Sequence, residues 1–475
     1  MAAACSSDDG DDATDDGGSG LEAGADAEEA EEEAEPAAPE EEEPAEEVTE
    51  EEEPAAMIDA GDNGVGAEEM AAAISAALSD PQAADGEAIS IGMVNLEGSP
   101  GGSFPEIRAG AEAAIGLIND SMGGIDGRPI ELTTCAHEID PSAAQDCANQ
   151  MVEAGVSAIF VGVDFFTPAL YPIWAGIPVY NMVPIFVPDF DNPGAISFGG
   201  GCVVSFPGQM KNIVEGGVDR LAVIYSDNAP GQGCWADTQL RPLELLAEAN
   251  PGFEFQGFPE VPEDAADNDV INQQVLDFLD GAENPGVQFG IAAPQCAEYW
   301  IGLREAGYEG SIFSSGSCDD DNALSQAGDA AVGVTVGFTG YSSRLEELWA
   351  DNELIVAEVD LRKSTLDAFG GDTPSGTFKD AGFNTMMNYY MAMSEVAAGG
   401  GDAGDGQSVF DQIKTWSGHH SFGSPPIDCG AAPDDYESIC DYTIAYGVWN
   451  GSSYDLAAPH VNNLDFVASL PPREG

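Results

Sequence analysis

AISIGMVNLEGSPGGSFPEIRAGAEAAIGLINDSMGGIDGRPIELTT, residues 88–134, reads as strand, turn, helix, turn, strand. Ile89–Leu96 is an almost unbroken apolar run, the pattern of a strand buried on both faces. A Gly/Ser/Pro turn follows. Phe104–Met122 then places apolar residues at helical spacing. Ser103 with Glu106 has the capping-box spacing, and Pro105 suits a first helical turn. Ile130–Thr134 is the next strand. Strand, covering helix and strand in this order imply a parallel sheet.

The same cycle extends outward. Pro141–Ala154 reads as a helix, and Val156–Gly162 and Ile177–Asn181 as strands. A second set begins after Gly199–Gly201. Its helices are Pro207–Gly217, Cys234–Ala249, Val270–Leu279 and Cys296–Ala306. Its strands are Leu221–Tyr225, Phe253–Phe258, Val287–Ala292, Ser311–Ser314 and Val332–Val336. Long helices are expected near Arg344–Phe369 and Ala381–Ala397. A hairpin over Tyr442–Trp449, NGS and Tyr454 closes the chain. Two α/β units followed by late helices suggest two lobes with chain crossings between them.

Charge sets this sequence apart. Its 475 residues hold 87 acidic and 12 basic residues, net −75. Residues 1–87 carry 31 of the acidic residues and no Lys or Arg, which leaves net −44 on 88–475. No basic footprint exists for a nucleic-acid backbone or an anionic membrane face. So acidic a folded part points to adaptation to high salt, where self-repulsion is screened. Residues 1–55, built from Ala, Glu, Asp, Gly and Pro, read as disordered. Within the tether 1–87, residues 66–80 suit a short helix, either a docking segment or a solvated stub. The uncharged stretch Phe165–Pro188 is interrupted by five prolines and reads as a short helix and a buried strand, not a membrane span.

Ala2–Ala3–Ala4–Cys5 before SSDDGDD has the form of a lipoprotein signal ending, with the true start expected upstream of Met1; the alternative is a stray thiol. Setting Cys5 aside leaves eight cysteines, an even number in an apparently exported chain. Sequential pairing joins Cys135 to Cys147, Cys202 to Cys234, Cys296 to Cys318 and Cys429 to Cys440.

Catalytic and cofactor motifs are missing. GSPGG (98–102) is neither GxGxxG nor a P-loop, and no GxSxG occurs. No CxxC pair suggests zinc, and His419–His420 read as a surface loop. The expectation is therefore no enzyme, no cofactor and no metal.

Four stretches carry a resemblance: AGAEAAIGLINDSMGGIDGRPIEL (109–132), DPSAAQDCANQMVEAGVSAIFVG (140–162), GDAAVG (328–333) and YGVWNGSSYD (446–455). In order and spacing over about 88–460 the chain resembles the leucine/isoleucine/valine-binding-protein family of type I periplasmic binding proteins. The resemblance implies an α/β fold of two Rossmann-like lobes with parallel sheets, joined by three crossover segments. It implies lobes of 88–203 with 337–440 and of 204–336 with 441–465. The crossings fall near Gly199–Val204, Thr335–Thr339 and Cys440–Tyr446. It further implies a monomer, held outside the cytoplasm through Cys5, that captures a small polar molecule such as an amino acid or amide. Delivery would be to the permease of an ABC importer; the alternative is a ligand-sensing receptor lobe.

Ligands in open α/β sheets bind beyond the carboxyl ends of the strands. There the candidates are Ser99, Asp164, Phe165, Phe166, Thr167, Val183 and Ile185 on one side and Pro230, Gln295 and Asp319 on the other. Thr167 is either a ligand contact or a helix cap. Phe165 and Phe166 are either a cleft wall or core. Asp319, or its neighbour Asp320, either meets an ammonium or lies at the surface. VGVDFFTP and NMVPIF hold few of the hydroxyls by which amino-acid binders of the family grip a carboxylate.

Overall fold

The computed structural model describes residues 63–471, apart from 100–101, 261–267, 292 and 431. Most of the acidic tether, with Cys5, lies outside the described residues. β1 (Ile89–Leu96) is buried along nearly all its length. It runs parallel between β2 (Ile130–His137) and β3 (Ile159–Val161), with Ile89 opposite Ile130 and Leu96 opposite His137. β4 (Val179–Asn181) and β5 (Ala195–Ile196) complete a parallel sheet ordered β2-β1-β3-β4-β5.

The small residues of AGAEAA now have a cause. Helix Pro105–Asp120 lies against helix Thr377–Ala398 with the backbones nearly touching. A Cβ at Gly110 would sit 2.0 Å from the Lys379 carbonyl oxygen, and one at Gly382 2.0 Å from that of Ile107. Only glycine allows such an approach.

The second sheet starts with five parallel strands: β6 (Arg220–Ser226), β7 (Glu254–Glu260), β8 (Pro285–Gly290), β9 (Ser311–Ser314) and β10 (Val334–Phe338). A small hairpin of β11 (His419–Ser421) and β12 (Ser424–Ile427) stands apart. β13 (Thr443–Trp449) then adds to β10 antiparallel, and β14 (Tyr454–Asn462) to β13. The resulting order is β14-β13-β10-β9-β8-β6-β7.

The chain passes between the sheets three times. It leaves the first sheet through helix Gly201–Glu215. After β10 it returns to helices Glu353–Phe369 and Thr377–Ala398, whose Leu361, Phe383 and Met387 join the first sheet's core. It crosses back between β12 and β13. The first and third crossings are tied together: Cys440 N–H donates to the Ser197 carbonyl at 3.0 Å.

Several expectations change. Phe104, not Ser103, precedes the helix, and the Ser103 hydroxyl instead accepts from the Gly98 N–H at 2.9 Å. The helix expected from Pro207 begins six residues earlier, with Pro207 buried inside it. Glu353, not Arg344, starts the first late helix, because Asn352 caps it. His419 and His420 are not a surface loop: both are buried in β11. Each ring meets a carboxylate from a distant helix, Glu395 at 2.7 Å and Glu358 at 2.5 Å, so burial is matched by pairing.

Disulfides join Cys135 to Cys147, Cys296 to Cys318 and Cys429 to Cys440. Cys202 and Cys234, the remaining expected pair, are free thiols. They sit on two helices, one at the first crossing and one after β6. The neighbouring Cys202 thiol and burial push the Cys234 thiol well up.

Candidate functional site

A cavity of about 230 Å³ opens where the carboxyl ends of the two sheets face each other. Its first wall comes from the turns after β1, β3 and β4, through Phe104, Val163, Phe165, Met182, Val183 and Ile185. The turns after β6, β8 and β9 supply the second wall, with Ser226, Asn228, Ile291, Ser315 and Ser317. The crossings form the floor, through Phe198, Phe206, Phe338 and Tyr341. Helices Glu353–Phe369 and Thr377–Ala398 add Arg362, Asp380, Asn384 and Thr385.

The first wall is held by buried polar groups behind it. Asp189 anchors the turn after β4: its Oδ2 accepts from the N–H groups of Ile185 at 2.9 Å and Phe186 at 2.8 Å. Tyr171 donates its hydroxyl to the same carboxylate at 3.1 Å. Burial pushes the Asp189 carboxyl up to about 6, although these donors and the Thr167 hydroxyl draw it down. Asp164 anchors the turn after β3. It accepts from the Phe166 N–H at 2.6 Å and pairs with His137 Nε2 at 2.9 Å. Burial opposes a charged His137, but the bond and charge of Asp164 outweigh it and its pKa is raised. The turn after β1 is held by Asn95, whose Nδ2 donates to the Phe104 carbonyl at 2.8 Å and whose Oδ1 receives the Val163 N–H at 3.0 Å.

A second cavity, of about 270 Å³, borders the first and shares Phe104, Ser317 and Phe378 with it. Polar and acidic residues stand among its lining, including Ser99, Ser103, Glu106, Asp320 and Asn322. Burial pushes the Glu106 carboxyl up to about 7.

The structure therefore distributes the expected site residues. Phe165, Val183 and Ile185 line the main cavity, while Ser99, Gln295 and Asp319 border the second. Pro230 lies in helix Ala229–Cys234, whose Gly231 and Cys234 reach the main cavity. Phe166 packs in the core, its ring 6.0 Å from that of His137. Asp164 and Thr167 are buried behind the wall rather than on it. Asp319 is buried rather than at the surface, and its oxygens are taken: Arg344 donates at 2.9 Å, Thr377 at 3.0 Å and Tyr454 at 3.0 Å. No ammonium is needed to balance it.

Phe104, Phe198, Phe206, Phe338, Arg362 and Asp380 escaped the sequence reading. The only local sign was an aromatic on each side of the first crossing, in SFGGGCVVSF (197–206). Among the described residues, no cluster of His, Cys, Asp and Glu has the arrangement of a metal site.

A family model for periplasmic binding proteins matches residues 88–428. No curated protein matches the sequence. Among solved structures, the leucine-binding protein LivK from Thermotoga maritima shares 14% identity over 79% of this chain and 99% of its own, with a TM-score of 0.61. A possible leucine/isoleucine/valine-binding protein from Rhodopirellula baltica shares 11% over 83% of this chain and all of its own, with a TM-score of 0.62. An ABC transporter substrate-binding protein from Sphaerobacter thermophilus shares 16% over 80% of this chain and 99% of its own, with a TM-score of 0.63.

Proposed function

The chain belongs to the periplasmic binding protein family, and from that premise we propose that it captures one small organic molecule between its two sheets and hands it to an ABC importer. One observation carries the reading: a single cavity is walled by the carboxyl-end turns of both sheets and floored by the chain crossings. Ligand placed there touches both halves at once, so it favours whichever arrangement brings them together. The role of importer partner is supported by the likeness to a substrate-binding protein of an ABC transporter. Lipidation of Cys5 would tether the protein outside the membrane, with residues 1–62 as the leash, because helix Ala67–Ser79 packs Met70 and Ile74 into the first sheet's core. Among the described residues no helix is long and apolar enough to cross a membrane.

In this reading residues 88–203 with 337–440 move as one lobe, and 204–336 with 441–465 as the other. The protein acts as a monomer and leaves its ligand unchanged. A thermal-shift screen of small metabolites at molar salt, followed by calorimetry and small-angle scattering, tests it. A ligand bound only by the folded state at a hundredfold excess over Kd adds ~2.7 kcal/mol of stability. One-to-one binding with compaction and unchanged ligand is expected. Turnover of the ligand, or binding that survives a blocked cleft, refutes the reading.

A further inference from the structure

The turns at the carboxyl ends of parallel strands offer backbone N–H groups that commonly hold an anion. Here the protein has filled those positions with its own side chains. The Phe166 N–H is taken by Asp164, and those of Ile185 and Phe186 by Asp189. The Val163 N–H goes to Asn95 and the Gly231 N–H to Asn228. The N–H groups of Asn322 and Ala323 go to Asp320. A ligand carboxylate would find these donors occupied, mostly by groups of its own charge.

The cavity's two charges are paired with each other, although the buried Arg362 Nε has no hydrogen-bond partner. Among the described residues lining the main cavity only Arg362 and Asp380 are charged, and they pair at 3.2 Å. The Arg362 side chain is wholly buried. It also donates to Asn384 Oδ1 at 3.0 Å and to the Tyr341 carbonyl at 2.6 Å. The rest of the polar lining is neutral, with hydroxyls such as Ser205, Thr339 and Thr385 and the amides of Asn228 and Asn384. Six phenylalanines, Phe104, Phe165, Phe198, Phe206, Phe338 and Phe378, supply broad apolar surface. An ionised group enclosed here without a partner loses its hydration and gains nothing comparable.

Resting on the cleft-binding reading above, we propose that the captured molecule is uncharged and largely apolar, with amide or hydroxyl groups as its polar part, and that a free carboxylate or ammonium excludes a molecule from the cleft. Its apolar body lies against the phenylalanines, and its polar group exchanges hydrogen bonds with the neutral hydroxyls and amides.

The test holds the skeleton fixed and varies the charge. The first series is 3-phenylpropanamide, 3-phenylpropanoate, 3-phenylpropylamine and phenylalanine. The second is 4-methylpentanamide, 4-methylpentanoate, 4-methylpentylamine and leucine. Calorimetry on the full chain in molar NaCl screens the overall negative charge, so differences report the cleft. At least one amide is expected to bind tenfold or more tightly than each of its charged relatives. A charged member that equals or beats its amide overturns the proposal, and so does failure of both amides to bind at millimolar concentration. Val183→Trp, which fills the cavity from the first wall, separates this from failure of the cleft reading. Thr339→Phe does so from the floor if the first variant does not fold. Binding unaffected by a folded blocking variant means the site is elsewhere. Binding abolished by it, but with a charged probe preferred, means the cleft is right and the ligand class wrong.

Discussion

Asp441 sits on the third crossing, 1% exposed, and accepts the Thr443 N–H at 2.8 Å. Burial pushes its carboxyl from 3.8 up to about 7. A folded-state pKa above the unfolded value means that the folded protein holds the proton more tightly. The corresponding stability is fully present below about pH 4 and is lost as pH rises through 7. With those two pKa values and 1.36 kcal/mol per unit, acidification from pH 8 to pH 5 recovers about 2 to 3 kcal/mol from this group alone. Asp441→Asn keeps an acceptor for the Thr443 N–H and removes the titration. The variant should match the parent below about pH 4, and its advantage should be larger by about 2 to 3 kcal/mol at pH 8 than at pH 5. Urea unfolding at fixed molar NaCl, at pH 5, 6, 7 and 8, measures both proteins while surface charge is screened. Parallel curves for the two would refute the reasoning, since Asp441 would then titrate alike in folded and unfolded chains.

With net −44 on residues 88–475, the melting temperature should rise from low to molar NaCl, and a flat or falling curve removes the salt-adaptation argument. Alkylation of the unreduced, denatured protein should label Cys202 and Cys234 and leave Cys135–Cys147, Cys296–Cys318 and Cys429–Cys440 intact; a 202–234 linked peptide would contradict the structure. Gly110→Ala places a Cβ 2.0 Å from the Lys379 carbonyl oxygen and should destabilise by about 1–3 kcal/mol through forced separation of two helices. A change within ~0.5 kcal/mol, the range of an ordinary surface substitution, would show that the helices part freely.

The alternation of strand and helix was legible because it is a local property. Ile89–Leu96 is apolar at nearly every position because its strand is covered on both faces. The small residues around Gly110 had no such local reading, because the neighbour they fit arrives from helix Thr377–Ala398. Loop residues adjoining strand ends, such as Phe165, Val183 and Ile185, could be placed at the cavity for the same reason: a parallel strand fixes which way its following turn points.

What a side chain does on arrival was not local. Asp164 and Asp319 stand in the expected turns, yet their partners are His137 and Arg344, from other parts of the chain. His419 and His420 look solvated in sequence and are buried because Glu395 and Glu358 arrive from two distant helices. Arg362 reaches the cavity floor only because a late helix folds back onto the first sheet. Strand and helix follow from the spacing of apolar residues within a few turns of chain. The cavity's chemistry follows from which distant charges neutralise one another, and only the tertiary structure sets those distances.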